Sequence, residues 1–232
     1  TLGFSRVRVA YTAGEAIGSV LFRVYRSIGV NLKQLYGSTE TCAYVCLQPD
    51  GNIKFDSVGV AAPGVEVKLA DNGEVLVRSA ATMDGYFKRP DATAEVIDAN
   101  GYFHTGDLAV WDEYGNIHIV DRKKDVIISG GENISSSEIE DCLYMHPAVL
   151  ECAVIGVPSE KWGETPKALI VLREGMTATE EEVIAFSRQH LAHFRCPTSV
   201  DFVESLPRTV TGKLQKFIIR EQYWKGVERR VN

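Results

Sequence analysis

The sequence predicts α/β architecture giving way to α+β: a strand–helix–strand fragment, a small β-barrel or sandwich, and a compact α+β domain. Three observations carry this prediction. Residues 1–45 switch between strand-like and helix-like apolar spacing. Residues 50–121 hold short alternating strands between turn signals. Residues 122–232 carry two helix-capping signatures among apolar runs. A length of 232 residues allows one large domain or two smaller ones, and the change of pattern puts the boundary at Asp121–Arg122.

The elements follow in order. "VRVAYTAG" alternates and ends on Gly14, "SVLFRVYRSIG" has helical spacing with Gly29 as its stop, and "NLKQLYGSTE" reads as a short strand into a turn. A lone strand–helix–strand leaves sheet edges uncovered, so the first forty residues read as a fragment of α/β architecture, not the usual start of a complete domain. "VEVKL", "GEVLVRS" and "GNIHIVD" are strands separated by Pro63-Gly64, Asp71-Asn72-Gly73 and Glu113-Tyr114-Gly115-Asn116. The cluster Asp121, Arg122, Lys123, Lys124 then runs into a β-branched strand from Val126 to Ile128, which stops on Gly130-Gly131. Ser135-x-x-Glu138 predicts a helix start, and that helix stops before Pro147. "VLECAVIGVP" and "PKALIVL" read as strands, Thr179-x-x-Glu182 opens a helix through "EEVIAFSRQHLAHF", and "LQKFIIREQYW" is the last helix.

Composition narrows the function. A 45% hydrophobic and 24% charged chain can bury an ordinary core, and a net charge of −6 disfavours nucleic acid and confines any phosphate site to a local patch. No apolar run reaches membrane-spanning length, so no integral membrane segment is expected. The five cysteines (Cys42, Cys46, Cys142, Cys152 and Cys196) are scattered without a C-x-x-C pair. A reducing cytoplasm fits best, and Cys42 and Cys46, four apart, are expected to be small buried thiols rather than a ligand pair.

Four stretches carry chemistry. In "QLYGSTET", Gly37 frees backbone amides, Ser38 and Thr39 offer hydroxyls to a phosphate, Glu40 offers a carboxylate to Mg²⁺, and Tyr36 offers a face to a base. A hairpin turn with an exposed Glu is the alternative. Asp107, expected at a strand end after a Thr-Gly turn, can accept two hydrogen bonds from a ribose diol. Arg122 has a fork of donors for ribose or phosphate, and Ser129, Gly130 and Gly131 leave backbone open to a slender ligand. The alternative there is a solvated charge patch and a plain glycine turn. Lys213 in "PRTVTGKLQK" lies outside any P-loop frame, and a lone loop lysine is ordinarily solvated.

The order and spacing of "YTAGEA", "YGSTE", "GYFKRPDAT", "GYFHTGDLAVWDEYGNIHIVDRKKDVIISGGENISSSEIE" and "PRTVTGKLQK" resemble the adenylate-forming superfamily, the AMP-forming acyl-CoA synthetases and their relatives. The resemblance spans Ala13 to Lys216. It implies that residues 1–121 are the C-terminal part of a large nucleotide-binding domain, with a β-barrel subdomain over 50–121, and that 122–232 form a mobile small domain. It implies ATP, Mg²⁺ and CoA as cofactor and co-substrates, and a small carboxylic acid, more narrowly a fatty acid, as substrate. By the same resemblance Gly14, Glu15 and Ala16 line the adenine, Gln34 and Leu35 offer backbone to its amino group, and Tyr36 stacks on it. Gly37, Ser38 and Thr39 hold phosphate, Glu40 holds Mg²⁺, Asp107 takes the ribose hydroxyls and Arg122 lies near the ribose. Lys213 bridges carboxylate and phosphate. Asp121 and Arg122 form a hinge, and Ser129, Gly130 and Gly131 line the path of CoA, with Trp162 either touching the CoA adenine or merely packing. The family also carries an upstream phosphate loop, without which this chain is expected to be inactive alone. A ligase loading a carrier protein and a non-catalytic nucleotide- or CoA-binding piece are the alternatives.

Overall fold

The computed structural model describes residues 3–14, 17–210 and 212–226. The chain forms two compact units that part between Val120 and Asp121.

The first unit opens with β1 (Ala10–Thr12), α1 (Ser19–Ser27) and β2 (Leu32–Tyr36), and β1 and β2 pair in parallel with Ala10 opposite Leu32. β3 (Cys46–Leu47) and β4 (Val60–Ala61) extend this sheet antiparallel, in the order β1-β2-β3-β4. Only three residues of the expected strand 7–14 are paired, since β1 is the sheet edge and has β2 alone as partner. α1 buries Phe22 fully against Val30, Leu32 and Phe55, while Val20 on its outer side is 76% exposed.

The rest of the unit is β5 (Val65–Leu69), β6 (Glu74–Ser79), α2 (Pro90–Val96), β7 (Phe103–Trp111) and β8 (Ile117–Arg122), with a sheet ordered β5-β6-β7-β8. The β5–β6 turn is closed by Asn72 Oδ1, which accepts the Glu74 N–H at 3.0 Å. A core of Val45, Cys46, Val75, Val77, Ala109 and Ile117 lies beneath both sheets.

The second unit adds β9 (Ile127–Ser129), β10 (Glu132–Ile134), α3 (Ser136–Tyr144), β11 (Val149–Ser159), β12 (Gly163–Leu172), α4 (Glu180–His190), β13 (Ser199–Phe202) and α5 (Lys216–Tyr223). Its five-stranded sheet runs β10-β9-β12-β11, with β13 parallel to β12. Both faces are covered. Cys152 and Val154 of β11 pack with Ile139 and Leu143 of α3 and Val183 of α4. The alternate residues Ala153, Ile155 and Val157 pack with Ile219 of α5. This explains why "VLECAVIGV" reads as a continuous apolar run rather than an alternating one.

Both capping signals form. Ser135 Oγ accepts the Glu138 N–H at 3.3 Å, and Thr179 and Glu182 exchange bonds at 3.2 and 2.8 Å. Three boundaries differ from expectation. α4 stops at His190 because Leu191 turns extended, and a 3₁₀ turn at His193–Arg195 follows, held by Arg195 to Glu138 at 2.6 Å. α5 begins at Lys216 because Leu214 bridges back to Arg208. The glycine stop after β9 is a hairpin tip, with β10 preceding α3.

Candidate functional site

In the first unit β2 ends on Tyr36 and the chain doubles back through Gly37. A Cβ on Gly37 would sit 2.4 Å from the carbonyl carbon of Ala43, so only glycine fits. Cys42 and Ala43 both adopt left-handed φ, 51° and 58°, a strain of about 1–3 kcal/mol each that the surrounding contacts must hold. Those contacts are present. Ala43 N–H donates to Ser38 O at 2.7 Å, Val45 N–H to Tyr36 O at 3.0 Å, and Ser38 N–H to Thr41 Oγ1 at 3.0 Å. Cys42 is thus exposed on the turn, correcting the expectation of a buried thiol. Cys46 is buried, and burial pushes its thiol up to about 12.

Ser38, Thr39 and Glu40 come together in this turn. Thr39 is exposed, while Ser38 Oγ is buried without a well-formed hydrogen bond among the described residues. Glu40 is gripped twice: its carbonyl accepts the Met83 N–H at 2.7 Å and its Oε1 accepts the Tyr86 hydroxyl at 3.0 Å. Partial burial raises its carboxyl. Its own backbone N–H and neighbouring hydroxyls, Tyr86 among them, outweigh this and hold it below the usual range. "GYFKRPDAT" contains Tyr86, and sequence reasoning gave that residue no role.

Asp107 is not at a strand end. It lies inside β7 at a bulge where pairing with β6 shifts register between Glu74 and Leu76 and where Gly106 has φ 73°. The bulge re-aims the carboxylate. Thr105 Oγ1 donates to Val75 O at 2.9 Å and accepts the Asp107 N–H at 3.1 Å, and Tyr36 donates its hydroxyl to Asp107 Oδ2 at 2.6 Å. Burial, and then the negative Asp107 beside it, keep the Tyr36 phenol firmly protonated. The aromatic and the carboxylate, 71 residues apart, are therefore one unit.

Around them, both backbone groups of Gln34 are engaged by Gln48: its N–H donates to Gln48 Oε1 at 2.9 Å and its carbonyl accepts the Gln48 N–H at 3.2 Å. Leu35 pairs with Leu47 across β2 and β3. Gly14 follows β1 with φ 90°, and Glu15 and Ala16 lie outside the described residues. Among the described residues no group of three His, Cys, Asp or Glu side chains is placed to hold a metal.

In the second unit, buried Asp121 caps α3. Its Oδ1 accepts the Arg122 N–H at 2.7 Å, and its Oδ2 accepts the Ser136 N–H at 2.6 Å and the hydroxyls of Ser136 and Ser135 at 2.9 and 3.2 Å. Arg122 is exposed. Ser129 pairs with Glu132, and Gly130 and Gly131 form the exposed tip with φ 60° and 90°. Gly130 N–H donates to Trp162 O at 2.8 Å, and a Cβ on Gly130 would strike the indole at 2.7 Å, so Trp162 packs on this tip. Lys213 stands exposed on a separate hairpin in which Thr209 N–H donates to Lys213 O at 2.8 Å and Arg208 donates to Gly212 O at 2.8 Å.

The sequence matches two family descriptions, AMP-binding enzyme over residues 2–87 and AMP-binding enzyme C-terminal domain over residues 138–213. It is 41% identical over 222 residues to the 3-[(3aS,4S,7aS)-7a-methyl-1,5-dioxo-octahydro-1H-inden-4-yl]propanoyl:CoA ligase of Rhodococcus jostii (strain RHA1), covering 94% of this chain and 43% of the relative. It is 36% identical to the medium-chain fatty-acid–CoA ligase of Escherichia coli (strain K12), covering 94% of this chain and 41% of that one. Among solved structures, ATP-bound MatB from Rhodopseudomonas palustris superposes with a TM-score of 0.87 at 34% identity, over 93% of this chain and 45% of that chain. The chain thus spans less than half the length of the relatives it matches. Both family matches, the identities and the superposition agree: the chain belongs to the AMP-binding, adenylate-forming enzyme family.

Proposed function

We propose that this chain supplies the nucleotide face and the mobile small domain of an AMP-forming carboxylic acid–CoA ligase, acting on a fatty acid in the cytoplasm. The observation that carries the reading is the turn at Tyr36–Glu40. It gathers an aromatic already bonded to Asp107, a buried hydroxyl on Ser38, and a carboxylate fixed by Tyr86. Tyr36 offers its face to adenine and Asp107 accepts from the ribose diol. Gly14 and the end of β2 at Gln34 and Leu35 border the base, and Arg122 serves the ribose. Ser38 and Thr39 donate to the α-phosphate, backbone by Gly37 passes close to it, and Glu40 is the ligand for Mg²⁺. The turn fits that ion: one Glu40 oxygen is held by Tyr86, and the low-lying carboxyl stays ionised. Glu40 would hold Mg²⁺ there, and the ion would supply positive charge against the phosphate oxygens.

In the first half-reaction a carboxylate oxygen of the acid bonds to the α-phosphorus as the bond to pyrophosphate breaks. Lys213 sets its ammonium between carboxylate and phosphate oxygens, a purely electrostatic role. In the second, the CoA sulfur bonds to the acyl carbon, AMP leaves and the thiol proton passes to solvent. Gly131 keeps the approach clear of a side chain, with Trp162 packed on Gly130 and Ser129 at its base, and the pivot is at Asp121–Arg122. Supporting the substrate class, the E. coli relative is a medium-chain fatty-acid ligase by name.

The share of the relatives' length covered favours a second reading, that the 232-residue chain alone binds AMP or CoA without turnover. Incubation with Mg-ATP, CoA and a panel of short to long carboxylic acids, read by mass spectrometry, tests both. Acyl-AMP and acyl-CoA from the full-length protein support the ligase, and AMP binding without products from the chain alone supports the second reading. Product on a carrier protein with none on CoA would replace the first.

A further inference from the structure

Three residues beyond Lys213, the first turn of α5 carries Lys216, whose side chain is only 12% exposed. Its Nζ donates to Glu140 Oε1 at 2.7 Å and to Ser136 Oγ at 2.8 Å. Ser136, with no exposed surface, passes the interaction on: its hydroxyl and its N–H both donate to Asp121 Oδ2. One turn further along the same face of α5, Arg220 pairs with buried Asp125. Two cations four residues apart on α5 thus reach the two acids that flank Arg122, Lys123 and Lys124. A buried lysine is costly to desolvate, and an apolar residue would satisfy packing at α5 without that cost. What an apolar residue cannot do is fix orientation through a directed bond to Ser136.

We propose that Lys216 is a positioning residue: through Ser136 it ties the loop carrying Lys213 to Asp121, so that the lysine and the point where the chain passes between units travel as one body. The physical coupling stands on this geometry, and its catalytic meaning rests on the proposed function. It assigns Ser136 and Lys216 roles that neither packing nor substrate contact would give them.

The test starts with limited trypsin digestion of the 232-residue chain, since Arg122, Lys123 and Lys124 are exposed cleavage sites and exposed Lys88, which precedes Arg89, is an internal control. In Ser136→Ala the Lys216–Glu140 pair survives and only the link to Asp121 is lost. Cleavage at 122–124 is expected to rise about tenfold, the factor of a 1.4 kcal/mol local opening, with cleavage after Lys88 unchanged. The double variant Lys216→Met/Glu140→Gln leaves no unpaired buried charge and is expected to do the same at unchanged helical content. Cleavage at 122–124 that stays at the wild-type rate in both folded variants overturns the proposal. So does an equal rise after Lys88, which would mark Lys216 as a mere stabiliser. A second arm uses the full-length protein. Ser136→Ala is expected to lower kcat of acyl-AMP formation about tenfold or more, with KM for Mg-ATP within about twofold. A raised KM at unchanged kcat contradicts positioning. If the wild type forms no acyl-AMP, the proposed function fails while the digestion still decides the coupling.

Discussion

Glu40 and Lys213 carry opposite charges on opposite kinds of framework. Glu40 sits in a strained turn whose backbone and carboxylate are both bonded to a segment more than forty residues away, through Met83 and Tyr86. Lys213 stands on an exposed hairpin held by its own backbone and Thr209, with its anchor three residues later at half-buried Lys216. On the proposed function, the nucleotide face is built before any ligand arrives, and the lysine is delivered by a body with its own core. Preorganised donors belong where the ligand rests, whereas a group that must arrive for one half-reaction and leave for the next needs a light local tether on a rigid carrier.

Breaking the delivered side should have the largest effect. Lys213→Ala in the full-length protein is expected to lower acyl-AMP formation about 10²–10³-fold. Thioester formation from supplied acyl-AMP and the thermal midpoint should hardly move. Equal loss in both half-reactions would remove Lys213 from its role. Next, Gly131→Phe should spare adenylation and slow thioester formation about tenfold or more, because it obstructs the path to the thiol. Slowed adenylation, measured by pyrophosphate release, would argue that the glycine matters for the fold alone.

On the prebuilt side, Gly37→Ala must displace Ala43 and is expected to cost about 1–3 kcal/mol of stability, checked by denaturant unfolding. Tyr36→Phe keeps the ring and loses the bond to Asp107. About 1 kcal/mol of stability should go, while AMP affinity falls less than in Asp107→Ala. The smallest effect concerns pH. Hydrogen bonds from Tyr102, then Arg78 and Lys68, hold exposed Glu66 at about 2 against an ordinary 4.5. A depressed carboxyl stabilises the fold above its unfolded value and loses that stabilisation as pH falls. The midpoint of wild type should therefore decline more steeply between pH 4.5 and 2 than that of Glu66→Gln.

Local chemistry made part of this legible in sequence. Thr179 and Glu182 announced α4 because a capping box is written within four residues, and Gly29 marked the end of α1 because only glycine takes its φ of 86° cheaply. The contacts that join distant segments were hidden. Nothing near Asp107 reveals that a register shift against β6 turns it toward Tyr36, and nothing near Glu40 points to Tyr86. α2 was missed although Pro90 stands at its first turn, since seven residues with no buried member give no apolar period. Cys42 misled because its exposure follows from a left-handed turn that its neighbours do not encode.

The most direct measurement is acid-dependent exchange of labelled pyrophosphate into ATP by the full-length protein, because exchange reports reversible acyl-AMP formation without CoA. The account predicts exchange with at least one carboxylic acid, abolished by Lys213→Ala, weakened by Asp107→Ala and retained in Gly131→Phe. No exchange with any acid from a folded, nucleotide-binding protein, or exchange indifferent to Lys213, would contradict it.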